Sequence, residues 1–299
     1  MIKRFNKIAI ELPKPGYSDA NAAAAMQELL GGKFGEMSTL NNYMFQSFNF
    51  RGKKKLKPFF DLIASITAEE FGHVEIVSTG IDLTLTPSSF TADPDAAPLQ
   101  PGVDKRNSQH FISHAQTALV ADSMGNPWRG DYVVNTGNLV FDLLHNFYLE
   151  CGARTNKMRV YEMTSHPVVR EVVGYLLVRG GTHIVAYAKA LEMATGADVT
   201  KMLPIPDLSN DAFETSRKFQ HLSNKLYTWS DQDYEDIRYI WKGQHPETKQ
   251  PLEVITGMPE GAPNIDLEEM PEEFAPGVSK GDFLEIAKRL QRSAGINPS

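Results

Sequence analysis

The sequence predicts an all-α protein built on a four-helix bundle, with a long crossover between the second and third helices and an extended C-terminal arm. Four long segments repeat apolar residues at spacings of three and four, the period of a helix with one buried face. Short links join the first helix to the second and the third to the fourth, so each pair is expected to form an antiparallel hairpin. A long passage rich in Pro, Gly, Asn and Asp separates the two hairpins.

The four predicted helices, A to D in chain order, span residues 19–48, 56–79, 138–163 and 167–195. Asp19 fits the N-cap of helix A, and Gly80 is expected to end helix B. Gly31, Gly32 and Gly35 each weaken helix A by about 1 kcal/mol relative to alanine. They are acceptable where a neighbouring helix or a bound ion must approach the backbone closely.

The remaining segments are predicted to pack around the bundle. The crossover, residues 81–137, is expected to hold one modest helix over 108–121 and a short strand over 132–134. We predict two regions, the bundle with its crossover over 1–200 and a C-terminal region over 201–299 that packs on the bundle and on neighbouring subunits. The predicted parts of the C-terminal region are irregular helices in 210–242, an extended arm over 244–278 and an amphipathic helix over 280–293.

Composition excludes several classes of function. The chain has 299 residues, 41% hydrophobic content and a formal net charge of −7, which disfavours nucleic acid or an anionic membrane as the main partner. No apolar run reaches the roughly 18 residues of a membrane span, and the N-terminus lacks a secretory apolar region. The single cysteine, Cys151, cannot form an intramolecular disulfide and fits a reducing compartment. These features predict a cytoplasmic protein.

The most informative stretch lies in helix B. Glu70 and His73 continue the apolar face formed by residues such as Leu62, Ile66 and Val77, so both polar side chains should point into the core. A buried carboxylate without a partner costs several kcal/mol, and therefore needs a proton, a cation or a metal. The other helices are then expected to supply partners for this pair.

Three further polar residues occupy apolar stripes. They are Glu36 on helix A, Glu150 on helix C and His183 on helix D. Carboxylate-bridged dimetal bundles take one Glu from each of two helices and one Glu-x-x-His from each of the other two. Gly180 replaces the glutamate of the second Glu-x-x-His, so five protein ligands remain and water or hydroxide would fill the open positions.

Each residue also has an ordinary structural interpretation. A glutamate in an apolar stripe often pairs with an arginine, and Arg154 and Arg179 lie one turn from Glu150 and His183. The remaining histidines are expected at solvated faces or helix caps: His110, His114, His145, His166, His221 and His245. The thiol of Cys151 is interpreted as inert and partly buried. The combination on four helices nevertheless favours a metal site.

The chain resembles the non-haem manganese catalases over nearly its whole length. The motifs that carry the resemblance are residues 34–36 (FGE), 69–73 (EEFGH), 148–150 (YLE) and 177–183 (LVRGGTH), together with the Pro-rich arm. The resemblance implies a ferritin-like four-helix bundle, two manganese ions per subunit with bridging water, hydroxide or oxide, and a homohexamer whose arms wrap neighbouring subunits.

The resemblance also implies residue roles. The implied metal ligands are Glu36, Glu70, His73, Glu150 and His183. Glu70 would bridge the ions, with Glu36 and His73 on one and the remaining pair on the other. Tyr43 would donate a hydrogen bond to a ligand carboxylate. Some relatives carry a glutamate at the place of Gly180, where it acts as an acid or base.

The implied reaction is the disproportionation of hydrogen peroxide, in which one peroxide oxidises an Mn(II) pair and a second returns the electrons and leaves as dioxygen. The residues alone do not select manganese over iron, since Mn(II) binds weakest in the divalent series. The alternatives are therefore a di-iron ferroxidase or peroxidase, or a non-catalytic coat protein that keeps the bundle. Some relatives also bind calcium, to which Asp61 would contribute.

Overall fold

The computed structural model describes residues 7–86, 105–202, 207–267 and 279–295, and these residues form a helical bundle with an irregular C-terminal region. The helices are α1 (Ala20–Gly31), α2 (Glu36–Phe48), α3 (Lys57–Leu85), α4 (Gln109–Ile112), α5 (Leu139–Met163), α6 (Pro167–Thr195) and α7 (Lys280–Ser293). The predicted all-α class is confirmed. Among the described residues, no helix combines the length and the apolar character needed to cross a bilayer.

The bundle core is divided into two apolar clusters with a polar layer between them. Leu62 of α3 and Ile184 of α6 belong to one cluster, and Ile76 of α3 and Leu176 of α6 belong to the other. Along the chain, the two helices therefore pass through the clusters in opposite directions. Between these positions, both helices carry buried polar residues: Glu69, Glu70 and His73 on α3, and Arg179, Thr182 and His183 on α6. Antiparallel packing therefore brings the polar segments of the helices to one level of the bundle.

The prediction of a single helix A is wrong, because the helix is interrupted over residues 32–35, between α1 and α2. An added Cβ atom at Gly31 would lie 2.2 Å from the carbonyl oxygen of Ala121, so the crossover backbone rests directly on the end of α1. Gln27 fixes this contact through its side-chain amide, which donates to the Leu119 and Ala121 carbonyls. The glycines accommodate the crossover and a helix break rather than a neighbouring helix.

Other boundaries also differ from the predictions. Helix α3 continues through Gly80 to Leu85, because Gly80 packs closely against Val172 of α6 instead of ending the helix. The helix predicted over 108–121 is limited to the four residues of α4. No strand forms at 132–134; this segment begins with a 3-10 turn, and its backbone pairs with the Asn42 side chain.

Two short ladders that the sequence analysis missed order the C-terminal region, one joining it to the N-terminal segment and one lying within it. Strand β1 (Lys7–Ile8) pairs antiparallel with β4 (Ala262–Pro263), and β2 (Lys225–Tyr227) pairs parallel with β3 (Glu253–Ile255). Two 3-10 helices, Glu214–Leu222 and Glu235–Tyr239, replace the irregular helices predicted there.

The predicted last helix is confirmed as α7. Ser279 and Asp282 form a capping box at its start, and every described side chain of the helix is at least partly exposed. Part of the predicted extended arm and of the crossover falls outside the described residues. The division into a bundle region and a C-terminal region stays a prediction.

Candidate metal centre

The structure brings the five predicted ligands together in the polar layer of the bundle. None of them is more than 1% exposed: Glu36, Glu70, His73, Glu150 and His183. Glu70 lies at the centre, because its Oε1 is 3.3 Å from His73 Nδ1 and 2.8 Å from His183 Nδ1. The ligand atoms of these three residues all lie within 4.8 Å of one another, as a bound metal would require.

The other two carboxylates flank this central group on opposite sides. Glu36 Oε2 is 3.6 Å from His73 Nδ1, and Glu150 Oε1 is 3.3 Å from His183 Nδ1. The site therefore has two halves, each with one imidazole and one carboxylate of its own, and Glu70 is shared. This is the donor arrangement of a two-metal site with one bridging carboxylate.

Buried donor atoms without hydrogen bonds test whether a metal fits. Glu36 Oε2, His73 Nδ1 and Glu150 Oε2 are fully buried, yet none makes a hydrogen bond with a described residue. Burying such groups unpaired costs several kcal/mol. Carboxylate oxygens and imidazole nitrogens that point at one another suit divalent ions such as manganese, iron or zinc. The residues fit a pair of such ions.

The position of Glu36 follows from the helix break. It is the first residue of α2, after the Gly35 N-cap, so its carboxylate lies at the positive end of a helix dipole. The same turn supplies Thr39, whose hydroxyl lies 2.6 Å from Glu70 Oε2. Thr39 was missed in the sequence analysis, although its spacing of three from Glu36 places both on one face.

Tyr43 lies beside the centre as predicted and donates its hydroxyl proton to Glu150 Oε1 at 2.8 Å. Burial, reinforced by the nearby Glu150 carboxylate, raises the pKa of the Tyr43 phenol well above its ordinary value. Tyr43 therefore stays protonated and remains a hydrogen-bond donor. Its ring packs against Tyr187, one turn beyond His183, at 5.2 Å between centroids.

A buried lysine is the main site residue that the sequence analysis missed. Lys157 is 1% exposed, and its ammonium group lies 2.9 Å from Glu36 Oε1. Burial lowers the pKa of Lys157, but the Glu36, Glu150 and Glu70 carboxylates outweigh this effect and raise it overall. Lys157 is two helical turns beyond Glu150, a spacing of seven that places both on one face and that could have identified it.

Gly180 leaves room for this lysine. An added Cβ atom at Gly180 would lie 3.5 Å from Lys157 Nζ and 3.8 Å from Glu150 Oε2, which are ordinary contact distances. A lysine on α5 therefore occupies the space beside Gly180 on α6.

A second carboxylate, Glu69, lies on the outer side of both histidines. Glu69 is 2% exposed and forms a bidentate ion pair with Arg179. Burial raises the pKa of Glu69, but the Arg179 guanidinium and the two imidazoles hold it well below its usual range. Glu69 was missed because its neighbour Glu70 fits the apolar stripe better, and one helical step separates the two side chains by about 100°.

The ordinary structural interpretation required Arg154 or Arg179 to pair with a predicted ligand, and neither does. Arg154 donates to the backbone carbonyls of residues 177, 207 and 209 and to the Asn210 side chain, and makes no contact with Glu150. Arg179 pairs with Glu69 rather than with a predicted ligand. Both guanidiniums instead fix the C-terminal region against the bundle.

Several other polar residues differ from their predicted surroundings. His110 and His245 are buried rather than solvated, and their ring nitrogens contact backbone groups of Thr117 and of residues 247–248. His166 is the N-cap of α6, one of the two predicted positions, and its ring contacts the Tyr17 carbonyl. His114 and His221 are exposed, as predicted, and His145 is partly buried beside Asn42. Cys151 is partly buried, as predicted.

Asp61 lies away from the centre, next to a lysine. Its carboxylate is 1% exposed and forms an ion pair with Lys57 on the same helix, while the backbone N–H of Asp236 donates to it at 3.2 Å. The Lys57 ammonium thus already supplies a positive charge to the carboxylate considered for calcium. Calcium binding at Asp61 stays untested and has no support from this geometry.

Comparisons with known proteins give one consistent family. A family model described as manganese containing catalase matches residues 1–296 of this chain. A manganese catalase from Bacillus subtilis is 36% identical over 253 residues, which cover 79% of this chain and 90% of that protein. The uncharacterized protein YjqC of B. subtilis (strain 168) is 36% identical over 174 residues, 57% of this chain and 62% of that protein.

More distant similarities were also found. Protein CotJC of B. subtilis (strain 168) is 22% identical over 166 residues, 56% of this chain and 80% of that protein. The crystal structure of wild-type KatB, a manganese catalase from Anabaena, matches 82% of this chain and 97% of its own with a TM-score of 0.54 and 21% identity. At that identity, the structural likeness supports the fold alone.

Proposed function

The chain belongs to the manganese-containing catalase family, and from this premise we propose that it disproportionates hydrogen peroxide to dioxygen and water at a dimanganese centre. One observation carries the proposal. Glu70 Oε1 lies within 3.3 Å of the Nδ1 atoms of both His73 and His183, with one further carboxylate beside each imidazole. A bundle that needed only stability would not retain five such donors in its core.

The proposed ligand sets follow from the two halves of the centre. Glu36 and His73 would hold one ion, Glu150 and His183 the other, and Glu70 would bridge them. When bound, the two manganese ions would accept two electrons from one peroxide and return them to another, and would act as Lewis acids. Open coordination positions filled by water or hydroxide would admit a substrate as small as hydrogen peroxide.

The side chains around the ligands hold them in place. Thr39 donates to Glu70 Oε2 and Tyr43 donates to Glu150 Oε1, so each carboxylate keeps one oxygen fixed by a hydroxyl group. Such outer partners orient ligands and alter their basicity. The apolar clusters above and below the polar layer exclude bulk water, which strengthens each electrostatic interaction inside.

Lys157 is the proposed substitute for the missing carboxylate at Gly180. Its ammonium group faces Glu36 and the space beside Gly180, so it can donate hydrogen bonds to solvent or peroxide oxygens there. Its positive charge offsets one of the ligand carboxylates when the ions are absent. We propose that this chain handles protons with a cationic donor where some relatives use an anionic acceptor.

The alternatives make different predictions. A di-iron ferroxidase or peroxidase usually keeps a glutamate in both Glu-x-x-His units, and Gly180 argues against it. A coat protein needs no intact ligand set, yet all five donors are present and face one another. Metal analysis of the purified protein separates manganese from iron, and oxygen release on addition of hydrogen peroxide separates an enzyme from a scaffold.

A substitution tests the centre itself. Glu70→Ala should abolish both manganese content and oxygen release, because the shared carboxylate is lost from both halves. Glu162→Ala, at an exposed position of α5, is the control and should retain both. Full activity in Glu70→Ala, measured with an oxygen electrode, would contradict the proposed bridge.

We also propose the homohexamer that the resemblance implies. Large apolar side chains are exposed on the outer faces of α2 and α5: Phe45, Phe48, Phe141, Leu144 and Tyr148. Apolar surface of this kind is typical of subunit contacts. Light scattering after size exclusion should give a mass six times that of the chain, and Leu144→Glu should reduce it. A monomeric wild-type protein would contradict the assembly without affecting the proposed chemistry.

A further inference from the structure

Both imidazoles of the centre lie between two carboxylates. Their Nδ1 atoms face Glu70 Oε1 on the inner side. On the outer side, Glu69 Oε1 is 3.7 Å from His73 Nε2 and Glu69 Oε2 is 3.3 Å from His183 Nε2. These are ion-pair contacts, and neither Nε2 atom makes a hydrogen bond with a described residue. A single carboxylate therefore spans the outer edges of two histidines that come from different helices.

The outer carboxylate is itself fixed by a guanidinium. Arg179 donates to both oxygens of Glu69 through Nε and Nη2. Its Nη1 donates to the backbone carbonyls of Leu222 at 2.6 Å and Lys225 at 2.9 Å. Arg179 thus connects the C-terminal region to Glu69, and Glu69 connects it to both histidines.

Stability alone does not account for this arrangement. Glu69 and Arg179 are 2% and 1% exposed, and burying such a pair gives up the hydration of both charges. Well-packed apolar residues in place of a buried ion pair are often equally or more stabilising. The contacts of Glu69 with both imidazoles point to a role for the pair at the centre.

We propose that Glu69 and Arg179 are a positioning pair that sets the imidazole tautomer and orientation at both halves of the centre. A neutral imidazole carries one N–H, and a metal takes the lone pair of the other nitrogen. A carboxylate that accepts the Nε2 proton leaves Nδ1 free to bind, and raises the basicity of the ligand. Because Glu69 serves both rings, its loss weakens both metal positions together.

This proposal rests on the proposed function only for the identity of the ion. The test is equilibrium dialysis of Mn(II) against the metal-free full chain, with no peroxide present. Glu69→Gln keeps the size of the side chain but leaves one acceptor oxygen for two rings, and is expected to weaken Mn(II) binding about 10–100-fold at one of the two positions or at both. Arg179→Lys keeps the charge but loses the fork that holds both oxygens, and should weaken binding in the same way.

The matched control is Asp61→Asn, which alters a buried, ion-paired carboxylate on the same helix away from the histidines. It should lower stability but leave Mn(II) affinity unchanged. Long-range nitrogen NMR of the Zn(II)-loaded protein gives a second readout. The wild type should show both rings bound through Nδ1 and protonated at Nε2, and Glu69→Gln should show mixed forms.

One result would overturn the positioning pair: Mn(II) affinities in Glu69→Gln equal to those of the wild type at both positions. If Glu69→Gln does not fold, Arg179→Lys decides by the same criterion. A wild type that binds two Mn(II) ions but releases no oxygen from peroxide refutes the catalase proposal and leaves this one standing. The two proposals therefore fail on different measurements.

Discussion

A methyl group added at Gly180 should stabilise the protein, which tests the space described beside Lys157. Gly180 lies in the middle of α6, where glycine is about 1 kcal/mol less favourable than alanine. The new Cβ atom would meet Lys157 Nζ at 3.5 Å and Glu150 Oε2 at 3.8 Å, so no clash offsets this gain. We expect Gly180→Ala to raise the free energy of unfolding by about 1 kcal/mol and the Tm by about 2 °C.

Gly31→Ala is the matched control, because its Cβ atom would lie 2.2 Å from the Ala121 carbonyl oxygen. The crossover backbone would have to move, and the bonds from Gln27 would be strained, at a cost of about 2 kcal/mol or more. Thermal unfolding followed by circular dichroism, with manganese content measured on the same samples, compares the two variants. A Gly180→Ala protein that is less stable than the wild type would show that Lys157 does not lie where we describe it.

The remaining predictions concern charge and reactivity. Burial raises the pKa of Asp82 to about 6, although the hydrogen bond that the Ala118 N–H donates to its carboxylate acts in the opposite direction. The folded state therefore holds the Asp82 proton more tightly than the unfolded state, and the stability linked to that proton is lost as pH rises from about 4 through 6. Asp82→Asn should remove roughly 1–3 kcal/mol of this pH dependence in urea unfolding measured from pH 4 to 7; an unchanged slope would contradict it. Burial, aided by the Glu150 carboxylate, raises the pKa of Cys151 to about 12, so the native thiol should react with a thiol reagent far more slowly than the unfolded chain at pH 8. Gly180→Glu would place a carboxylate against Lys157, and should shift the pH–rate profile of oxygen release relative to Gly180→Ala; identical profiles would place residue 180 away from the reacting solvent.

The ligand pattern was predictable because helical periodicity is strict. A glutamate and a histidine three residues apart in an apolar stripe must both face the core, and α3 places Glu70 and His73 there. The antiparallel hairpins then bring Glu36, Glu150 and His183 to the same level. The spacing between ligands was nearly the same in both hairpins, so the level at which they meet could be inferred without coordinates.

The missed features depend on interactions that periodicity does not encode. The break before Glu36 follows from the contact between Gly31 and the crossover, and the position of the crossover cannot be read from its irregular sequence. Lys157 was missed because a buried lysine is rare and its acceptor, Glu36, is on another helix. The two short ladders join strands of two or three residues that are distant in the chain, too short to show an alternating pattern.

Metal removal should destabilise the fold, because the polar layer is stable only when its carboxylates are neutralised. Glu36, Glu70 and Glu150 share one buried layer. Lys157 pairs with Glu36, and the charges of all three carboxylates raise its pKa against the effect of burial. Burial and the Glu70 carboxylate raise the pKa of Glu150. Burial lowers the pKa values of His73 and His183, but the neighbouring carboxylates outweigh it and raise them, so protons balance the layer when the ions are absent. Ions that bind the folded chain and not the unfolded chain stabilise it by about 2.7 kcal/mol at one hundred times the Kd.

The Tm should therefore rise with free Mn(II) concentration in the wild type and should not respond in Glu70→Ala. Magnesium, which prefers oxygen ligands to imidazole, should give a smaller rise. A wild-type Tm independent of Mn(II) would mean that the layer is already neutral without metal, and that its five donors serve packing alone.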